Sequence, residues 1–192
     1  MGMHAAAHRW TAEEVRALPD DGNRYELISG ELVVTPAPPG LHQVAVWKLA
    51  KRLDAWLDES HAGELLGAPA DVSLGEDEVL QPDLFVYRTA TGGPLREWRD
   101  IDSLLLVVEV LSPSSARYDR QLKRRRYQRA RVPEYWIVDL DARLVERWRP
   151  DDERPEIGAD RLNWEPVPGV DALELDLKAL FAEMWGDDRS VH

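Results

Sequence analysis

The sequence predicts a mixed α/β fold (α+β) in which a mixed β-sheet is flanked by helices and preceded by an N-terminal β-hairpin extension. Strand-like apolar runs alternate with helical patterns along most of the chain. The run from Leu104 to Leu111 is apolar on both faces, which is typical of a central strand. Apolar residues recur at helical spacing from Leu41 to about Glu59 and predict a long amphipathic helix.

The N-terminal part of the chain predicts a short helix followed by a hairpin. Thr11 and Glu14 have the spacing of a capping box, which opens a helix. The strand-like runs 25–27 and 31–35 flank Gly30, which favours a tight turn between them. The hairpin therefore precedes the long helix in the chain.

The rest of the chain predicts the sheet and two more helices. A basic helix follows the central strand and ends near Arg131, and a short terminal helix covers 178–185. We interpret residues 1–192 as a single domain with its core at about 11–149 and with C-terminal strands and a short helix at 160–185. Strands are predicted at 63–74, 79–87, 104–111, 135–139, 144–148, 162–167 and 173–177.

Composition narrows the function classes. The 192 residues contain no run of about 18 apolar residues that could span a membrane, and residues 1–10 lack the apolar segment of a secretory signal. We therefore expect a cytoplasmic protein without a membrane partner. The chain has no cysteine, so a metal site would use oxygen atoms or the five histidines. Oxygen ligands favour hard ions such as Mg²⁺ or Mn²⁺.

The charge pattern supports two interpretations. The net charge of −12 repels phosphate polymers at long range. Between Arg117 and Arg131, however, eight basic residues are opposed only by Asp119. This basic helix is either a solvated face paired with surface acids or a surface for phosphates.

Two acids stand where a strand pattern makes burial costly. Asp83 precedes the apolar run 84–86, and Glu109 interrupts the central strand. A buried carboxylate needs a cation, hydrogen bonds or a proton. Asp119, Lys123 and Tyr127 follow Glu109 in the sequence, are spaced four apart and so share one helix face. Two acids and a lysine suggest metal-assisted hydrolysis.

Five stretches in order resemble the PD-(D/E)XK nuclease superfamily, and in particular its Uma2-like family of restriction endonucleases. The likeness extends from about Thr11 to Trp148 and implies a restriction-endonuclease-like fold. The stretches are 25–32, 81–84, 108–114, 119–127 and 134–139, which include Tyr-Glu-Leu-Ile-Ser-Gly-Glu-Leu, Gln-Pro-Asp-Leu and Val-Glu-Val-Leu-Ser-Pro-Ser.

The resemblance implies a divalent cation, Mg²⁺ or Mn²⁺, held by Asp83, Glu109 and the backbone carbonyl of Val110, with a lysine beside the attacking water. The usual superfamily lysine lies two residues after the acid, where this chain has Leu111. We therefore assign the role to Lys123, which could share a proton with water if its pKa is depressed. The alternative is a structural Asp bound to backbone N–H groups and a Glu–Lys123 salt bridge without catalysis.

Three further residues have two interpretations each. Glu26 is either an additional ligand or base at the acid pair, as the resemblance implies, or a hairpin carboxylate facing water. His42 either binds phosphate or caps the long helix. Tyr127 either hydrogen-bonds a site acid or packs in the core. Among the eight tryptophans, we expect three to be buried, namely Trp47, Trp56 and Trp136.

The combined prediction is a metal-dependent endonuclease that acts on nucleic acid, with DNA favoured as the substrate. The basic helix, including Arg120 and Arg124, would lie along backbone phosphates, with His42 nearby. A homodimer is expected because double-strand cutters need two sites related by symmetry. The alternatives are a catalytically inactive nuclease-fold module that binds nucleic acid or protein, and a hydrolase of small phosphoesters.

Overall fold

The computed structural model describes residues 8–75, 77–90, 92–93 and 95–187. The helices are α1 (Ala12–Arg16), α2 (Gly40–Ser60), α3 (Arg124–Arg129) and α4 (Leu177–Trp185), with a 3₁₀ turn at Trp98–Asp100 and a π-helix at Tyr118–Lys123. The strands are β1 (Arg24–Ile28), β2 (Glu31–Thr35), β3 (Glu64–Gly67), β4 (Glu78–Val79), β5 (Leu84–Thr89), β6 (Ile101–Val110), β7 (Glu134–Asp139), β8 (Leu144–Trp148), β9 (Glu156–Gly158), β10 (Arg161–Trp164) and β11 (Leu173–Asp176).

A six-stranded mixed sheet forms the centre of the molecule, in the order β3-β5-β6-β7-β8-β9. β6 and β7 are parallel, whereas the other neighbours are antiparallel. The π-helix and α3 form the crossover that two parallel neighbouring strands require. The predicted mixed sheet with flanking helices is therefore confirmed.

Apolar side chains cover the sheet on both faces. On one face, Leu53 of α2 and Phe181 of α4 belong to the same buried cluster as Trp136 of β7. On the other face, Tyr127 of α3 packs in a cluster with Phe85 of β5. Because both faces are covered, the residues of β6 from Leu105 to Val110 are buried, as the doubly apolar pattern predicts.

The predicted hairpin is present as β1 and β2, which pair antiparallel. Ser29 and Gly30 form its turn, both with positive φ angles of 58° and 80°. Glycine adopts this conformation without steric cost, which explains its place in the turn. The short β4 pairs with the other side of β1 and completes a three-stranded sheet of its own. This small sheet carries β1 to the end of the central sheet where β5 begins.

Two predicted strands are shorter than the sequence suggested. The run 63–74 contains only β3 and a single bridge between Val72 and Leu80, and the run 79–87 is divided into β4 and β5. Proline has no N–H for a ladder, and Pro69 and Pro82 stand at these interruptions. The strand β9 was not predicted.

The long helix α2 is confirmed, but the predicted burial of Trp47 is wrong. Its side chain is 65% exposed, whereas Trp136 is fully buried. Trp56 is partly buried and its Nε1 donates to the Asp171 carbonyl at 3.1 Å. Trp47 lies on the outward side of α2, two positions from buried Ala45 and Leu49, and the Lys51 ammonium is 5.7 Å from its ring.

In the part of the chain that the structure describes, no helix combines the length and the apolar character needed to cross a bilayer.

Gly67 of β3 allows the close approach of the backbone that carries Asp83. A Cβ at this position would lie 2.7 Å from the Asp83 carbonyl oxygen, whereas one at Gly75 would meet no atom within 4 Å. We expect Gly67→Ala to lower the free energy of unfolding by about 1–3 kcal/mol, and Gly75→Ala to change it by less than about 0.5 kcal/mol. Urea denaturation measures both, and equal stability of the two variants would contradict this packing.

Candidate active site

Asp83 and Glu109 face each other at one end of the central sheet. Asp83 immediately precedes β5, and Glu109 is the penultimate residue of β6. Leu84 pairs with Val108, so continuing the antiparallel register by one step places Asp83 opposite Glu109. Opposite residues of an antiparallel pair project from the same face. Both residues are buried, with 3% and 1% of their surface exposed.

Three groups bind the carboxylate of Asp83. His42 Nε2 lies 2.9 Å from Oδ2, and the Val110 backbone N–H donates to the same oxygen at 2.8 Å. Arg24 Nη2 donates to the other oxygen, Oδ1, at 2.9 Å. Burial alone would raise the pKa of Asp83, but the His42 hydrogen bond and the Arg24 charge outweigh it and lower this pKa to about 2. The carboxylate is therefore ionised and accepts all three bonds.

Lys123 lies among three other carboxylates. Its Nζ is 2.9 Å from Glu26 Oε2, 3.0 Å from Glu109 Oε1 and 3.3 Å from Asp119 Oδ1. Burial would lower the pKa of Lys123, but the charges of Glu109, Glu26 and Asp119 raise it well above the usual value. The predicted proton sharing requires a depressed pKa, which this environment does not produce. Lys123 thus acts as a permanent positive charge.

The site contains more negative than positive groups. Four carboxylates, those of Glu26, Asp83, Glu109 and Asp119, surround the two cations Arg24 and Lys123. Burial raises the pKa of Glu109 well above its usual value, with Lys123 acting in the opposite direction and the neighbouring acids adding to the rise. Burial likewise raises the pKa of Asp119. A further cation at this place would favour the ionised form of these acids.

Strand β1 contributes two of these groups from one face. Arg24 and Glu26 are two residues apart, so both project from the same side of the strand. The Gln81 backbone N–H donates to Glu26 Oε1 at 2.8 Å, which fixes this carboxylate beside Lys123. Glu26 is 1% exposed and does not face water. Arg24 was not predicted, although its spacing from Glu26 was the signal that could have identified it.

The crossover after β6 supplies Asp119, Lys123 and Tyr127 from one buried face, as their spacing predicted. Its first part is a π-helix rather than an α-helix, and such segments occur frequently at functional sites. The Tyr127 ring packs against Tyr135 with 4.9 Å between the centroids. Its hydroxyl has no hydrogen-bond partner among the described residues. The observed contacts of Tyr127 are therefore those of a side chain packed in the core and not those of a hydrogen-bond donor to a site acid.

The residues predicted to contact nucleic acid make contacts within the protein. His42 binds Asp83 and does not cap α2, whose N-cap is Pro39. Arg120 donates to Asp139 Oδ2 and Glu146 Oε1, both at 2.7 Å. The Arg124 guanidinium lies 4.4 Å from the centroid of the Trp148 ring. Their binding to phosphate stays a prediction. Within the described residues, three exposed arginines of this segment have no ion-pair partner, namely Arg117, Arg125 and Arg129.

Asp83 and Glu109 have the donor chemistry for a divalent cation. Oδ2 of Asp83 and Oε1 of Glu109 are occupied by the bonds described above, whereas Oδ1 and Oε2 face the same guanidinium, at 2.9 Å and 4.0 Å. The Val110 N–H points towards Asp83, and its carbonyl points to the same edge of β6, because both groups of a strand residue share a side. Two carboxylate oxygens and a carbonyl, completed by waters, suit Mg²⁺.

The metal site would depend on those waters. No group of three or more His, Cys, Asp or Glu side chains in the described ranges is arranged to hold a metal ion. The residues fit a cation that keeps part of its hydration shell, which is the usual state of protein-bound Mg²⁺.

Comparison with known proteins agrees with this architecture. A solved structure described as "a putative nuclease belonging to DUF820 from Anabaena variabilis ATCC 29413" superposes with a TM-score of 0.69 at 21% identity, covering 91% of this chain and 99% of that chain. The likeness shows a common fold. No curated protein matches the chain.

A family model described as "Uma2: Putative restriction endonuclease" matches residues 12–178, which is most of the chain and includes every residue of the site. The resemblance drawn from the five sequence stretches is therefore confirmed, and the chain belongs to the Uma2 family.

Proposed function

We propose that the protein is a metal-dependent endonuclease that hydrolyses phosphodiester bonds in DNA. The observation that carries this proposal is the buried pair Asp83 and Glu109, each with one oxygen that faces the same cation, the Arg24 guanidinium. The family is a family of nucleases by its description, which supports a nucleic acid as the substrate. Oxygen-only ligands favour Mg²⁺ or Mn²⁺ as the ion.

The site residues would bind the ion, add positive charge and hold that charge in place. A bound Mg²⁺ or Mn²⁺ supplies a water of lowered pKa and offsets charge on the phosphate. Asp83, Glu109 and the Val110 carbonyl would hold that ion. Lys123 keeps its proton and adds a fixed positive charge where negative charge develops. Glu26 holds the Lys123 ammonium in place through an ion pair at 2.9 Å.

One observation favours the rival function, a nuclease-fold module without catalysis. The guanidinium of Arg24 lies between Asp83 and Glu109, and Lys123 is fully engaged by three carboxylates. A protein that used these contacts only for stability would look similar, because buried ion pairs also occur without catalysis. Removing the charge of a metal ligand while keeping its shape separates the two functions.

We expect Asp83→Asn and Glu109→Gln to reduce plasmid nicking in Mg²⁺ by about 100-fold or more, because each loses a charged ligand of the ion. Nicking is measured on supercoiled plasmid with and without EDTA. Glu174→Gln, at an exposed site on β11, is the matched control and should nick at the parent rate. Equal nicking by the parent and both site variants would contradict the proposal, and so would activity that survives EDTA.

The role of the Lys123 ammonium can be tested by protein stability as well as by nicking activity. We expect Lys123→Met to lower the free energy of unfolding by about 3–5 kcal/mol, because three buried carboxylates lose their cation. Lys178→Met removes an exposed ion pair with Asp160 and should leave the free energy of unfolding close to that of the parent, because exposed ion pairs contribute little to stability. Chemical denaturation compares the two. A Lys123→Met protein as stable as the parent would contradict the central place of this ammonium.

For DNA binding, we propose that the exposed arginines of the basic segment contact backbone phosphates. Phosphate contacts release counterions, so the logarithm of the affinity falls by about 0.9 per contact for each tenfold rise in salt. We expect Arg117→Gln, Arg125→Gln and Arg129→Gln each to reduce this slope by about that amount. Anisotropy of a labelled duplex in EDTA measures it, with Arg143→Gln as the control. Salt-independent binding by the parent would contradict this surface.

We propose a homodimer that uses the outward face of α2. Val44 and Trp47 of this face are 44% and 65% exposed, which is unusual for large apolar side chains. Sedimentation should show a dimer for the parent and a monomer for Trp47→Glu, because the new charge would lose its hydration in the interface. Ile157→Glu, at another exposed apolar position, should remain dimeric. A monomeric parent would contradict the proposal.

A further inference from the structure

The Arg24 guanidinium lies between the two carboxylate oxygens that would bind a divalent cation. Each of the two facing carboxylates has one oxygen bound elsewhere: Asp83 Oδ2 by His42 and the Val110 N–H, and Glu109 Oε1 by Lys123. The remaining oxygens, Asp83 Oδ1 and Glu109 Oε2, lie 2.9 Å and 4.0 Å from the two terminal nitrogens of Arg24. These two oxygens are the ones that would bind the metal ion in the proposed site.

The guanidinium and a metal ion cannot share these oxygens in the observed arrangement. Magnesium needs its ligands at about 2.0–2.1 Å with near-octahedral geometry and keeps several waters, so it requires the space that Arg24 fills. Arginine also does not leave by losing its proton, because the guanidinium stays charged in proteins. The nearby Asp83 and Glu109 charges reinforce this, since they outweigh burial and raise the pKa of Arg24. Only movement of the side chain can vacate the position.

Arg24 is the cation of the site that has room to move. Its side chain is 17% exposed, whereas that of Lys123 is 2% exposed and contacts three carboxylates from different elements. Among the described residues, the ion pairs of Arg24 are with the facing pair alone, and the second of them is at 4.0 Å. The long side chain can rotate towards solvent while β1 stays in place, since Glu26 independently anchors this strand through the Gln81 N–H.

We propose that Arg24 is an intramolecular competitor for the metal: its guanidinium neutralises Asp83 and Glu109 when no ion is bound, and a divalent cation binds by displacing it. This inference rests on the proposed metal site. It makes Arg24 a positioning residue that holds the facing acids together in the metal-free protein and sets the affinity for the ion. A guanidinium displaced towards solvent stays at the edge of the site, with the fork geometry that suits phosphate.

Titration calorimetry of the full, EDTA-stripped protein with Mn²⁺ tests the competition. We expect Arg24→Met to bind Mn²⁺ at least tenfold more tightly than the parent, because the competing charge is absent. Arg24→Lys keeps one charge but lacks the fork and should have an intermediate affinity. Arg143→Met, which removes an arginine paired with Asp187, is the control and should match the parent.

Thermal unfolding gives a second readout that does not depend on activity. In EDTA, Arg24→Met should melt below the parent because two facing carboxylates lose their cation. Saturating Mn²⁺ should raise its melting temperature by more than it raises that of the parent. If Arg24→Met does not fold in EDTA, Arg24→Lys and the parent still give the comparison of affinities and melting shifts.

The outcomes separate this inference from the function on which it rests. Equal or weaker Mn²⁺ binding by the Arg24 variants, with Asp83→Asn abolishing binding by the parent, would overturn the competition and leave the metal site intact. Folded parent and Arg24 variants that all fail to bind Mn²⁺ would overturn both. Tighter binding by Arg24→Met that is lost in the double variant with Asp83→Asn would support both.

Discussion

The repulsion between two facing carboxylates is the constraint to which the rest of the site responds. The antiparallel register of β5 and β6 brings Asp83 opposite Glu109 in a buried position, where like charges destabilise a sheet. Two cations from different elements offset this negative charge. Arg24 comes from the small N-terminal sheet, and Lys123 comes from the crossover between β6 and β7. The hairpin is therefore part of the site.

The proposed metal site would also account for the composition of this network. Replacing a buried ion pair by apolar side chains of similar size is often neutral or stabilising. Stability alone therefore does not require four buried acids around two cations. Burial raises the pKa of Glu109 and Asp119, and the charges of neighbouring acids add to the rise in both, so a further positive charge would oppose it. A divalent cation would supply that charge.

Much of the fold and the acid pair could be predicted from the sequence because they depend on local patterns. The period of α2, the doubly apolar β6 and the Gly30 turn each reflect their own neighbours in the chain. Likewise, an acid inside an apolar strand is conspicuous wherever the strand lies. Lys123 was identifiable because it shares a helical face with Asp119 and Tyr127.

What could not be predicted depends on contacts between distant segments. The spacing of Arg24 and Glu26 shows that they share a face of β1, but Arg24 reaches Asp83 only because the small sheet packs at the start of β5, which no local pattern predicts. Arg120 has an acidic partner on β7 and another on β8, so its contacts within the protein follow from the sheet order. The predicted burial of Trp47 rested on its place in an apolar run, but its position two residues from buried Ala45 and Leu49 puts it on the other side of α2.

The central claim is that Asp83 and Glu109 together hold one divalent cation. Anomalous diffraction from a crystal soaked with Mn²⁺ tests it most directly. We expect one strong peak between Asp83 Oδ1 and Glu109 Oε2, at about the 2.1 Å from each that is typical of a small divalent ion, with the Arg24 guanidinium moved away. A site without a peak, with Arg24 still between the two carboxylates at saturating Mn²⁺, would contradict it.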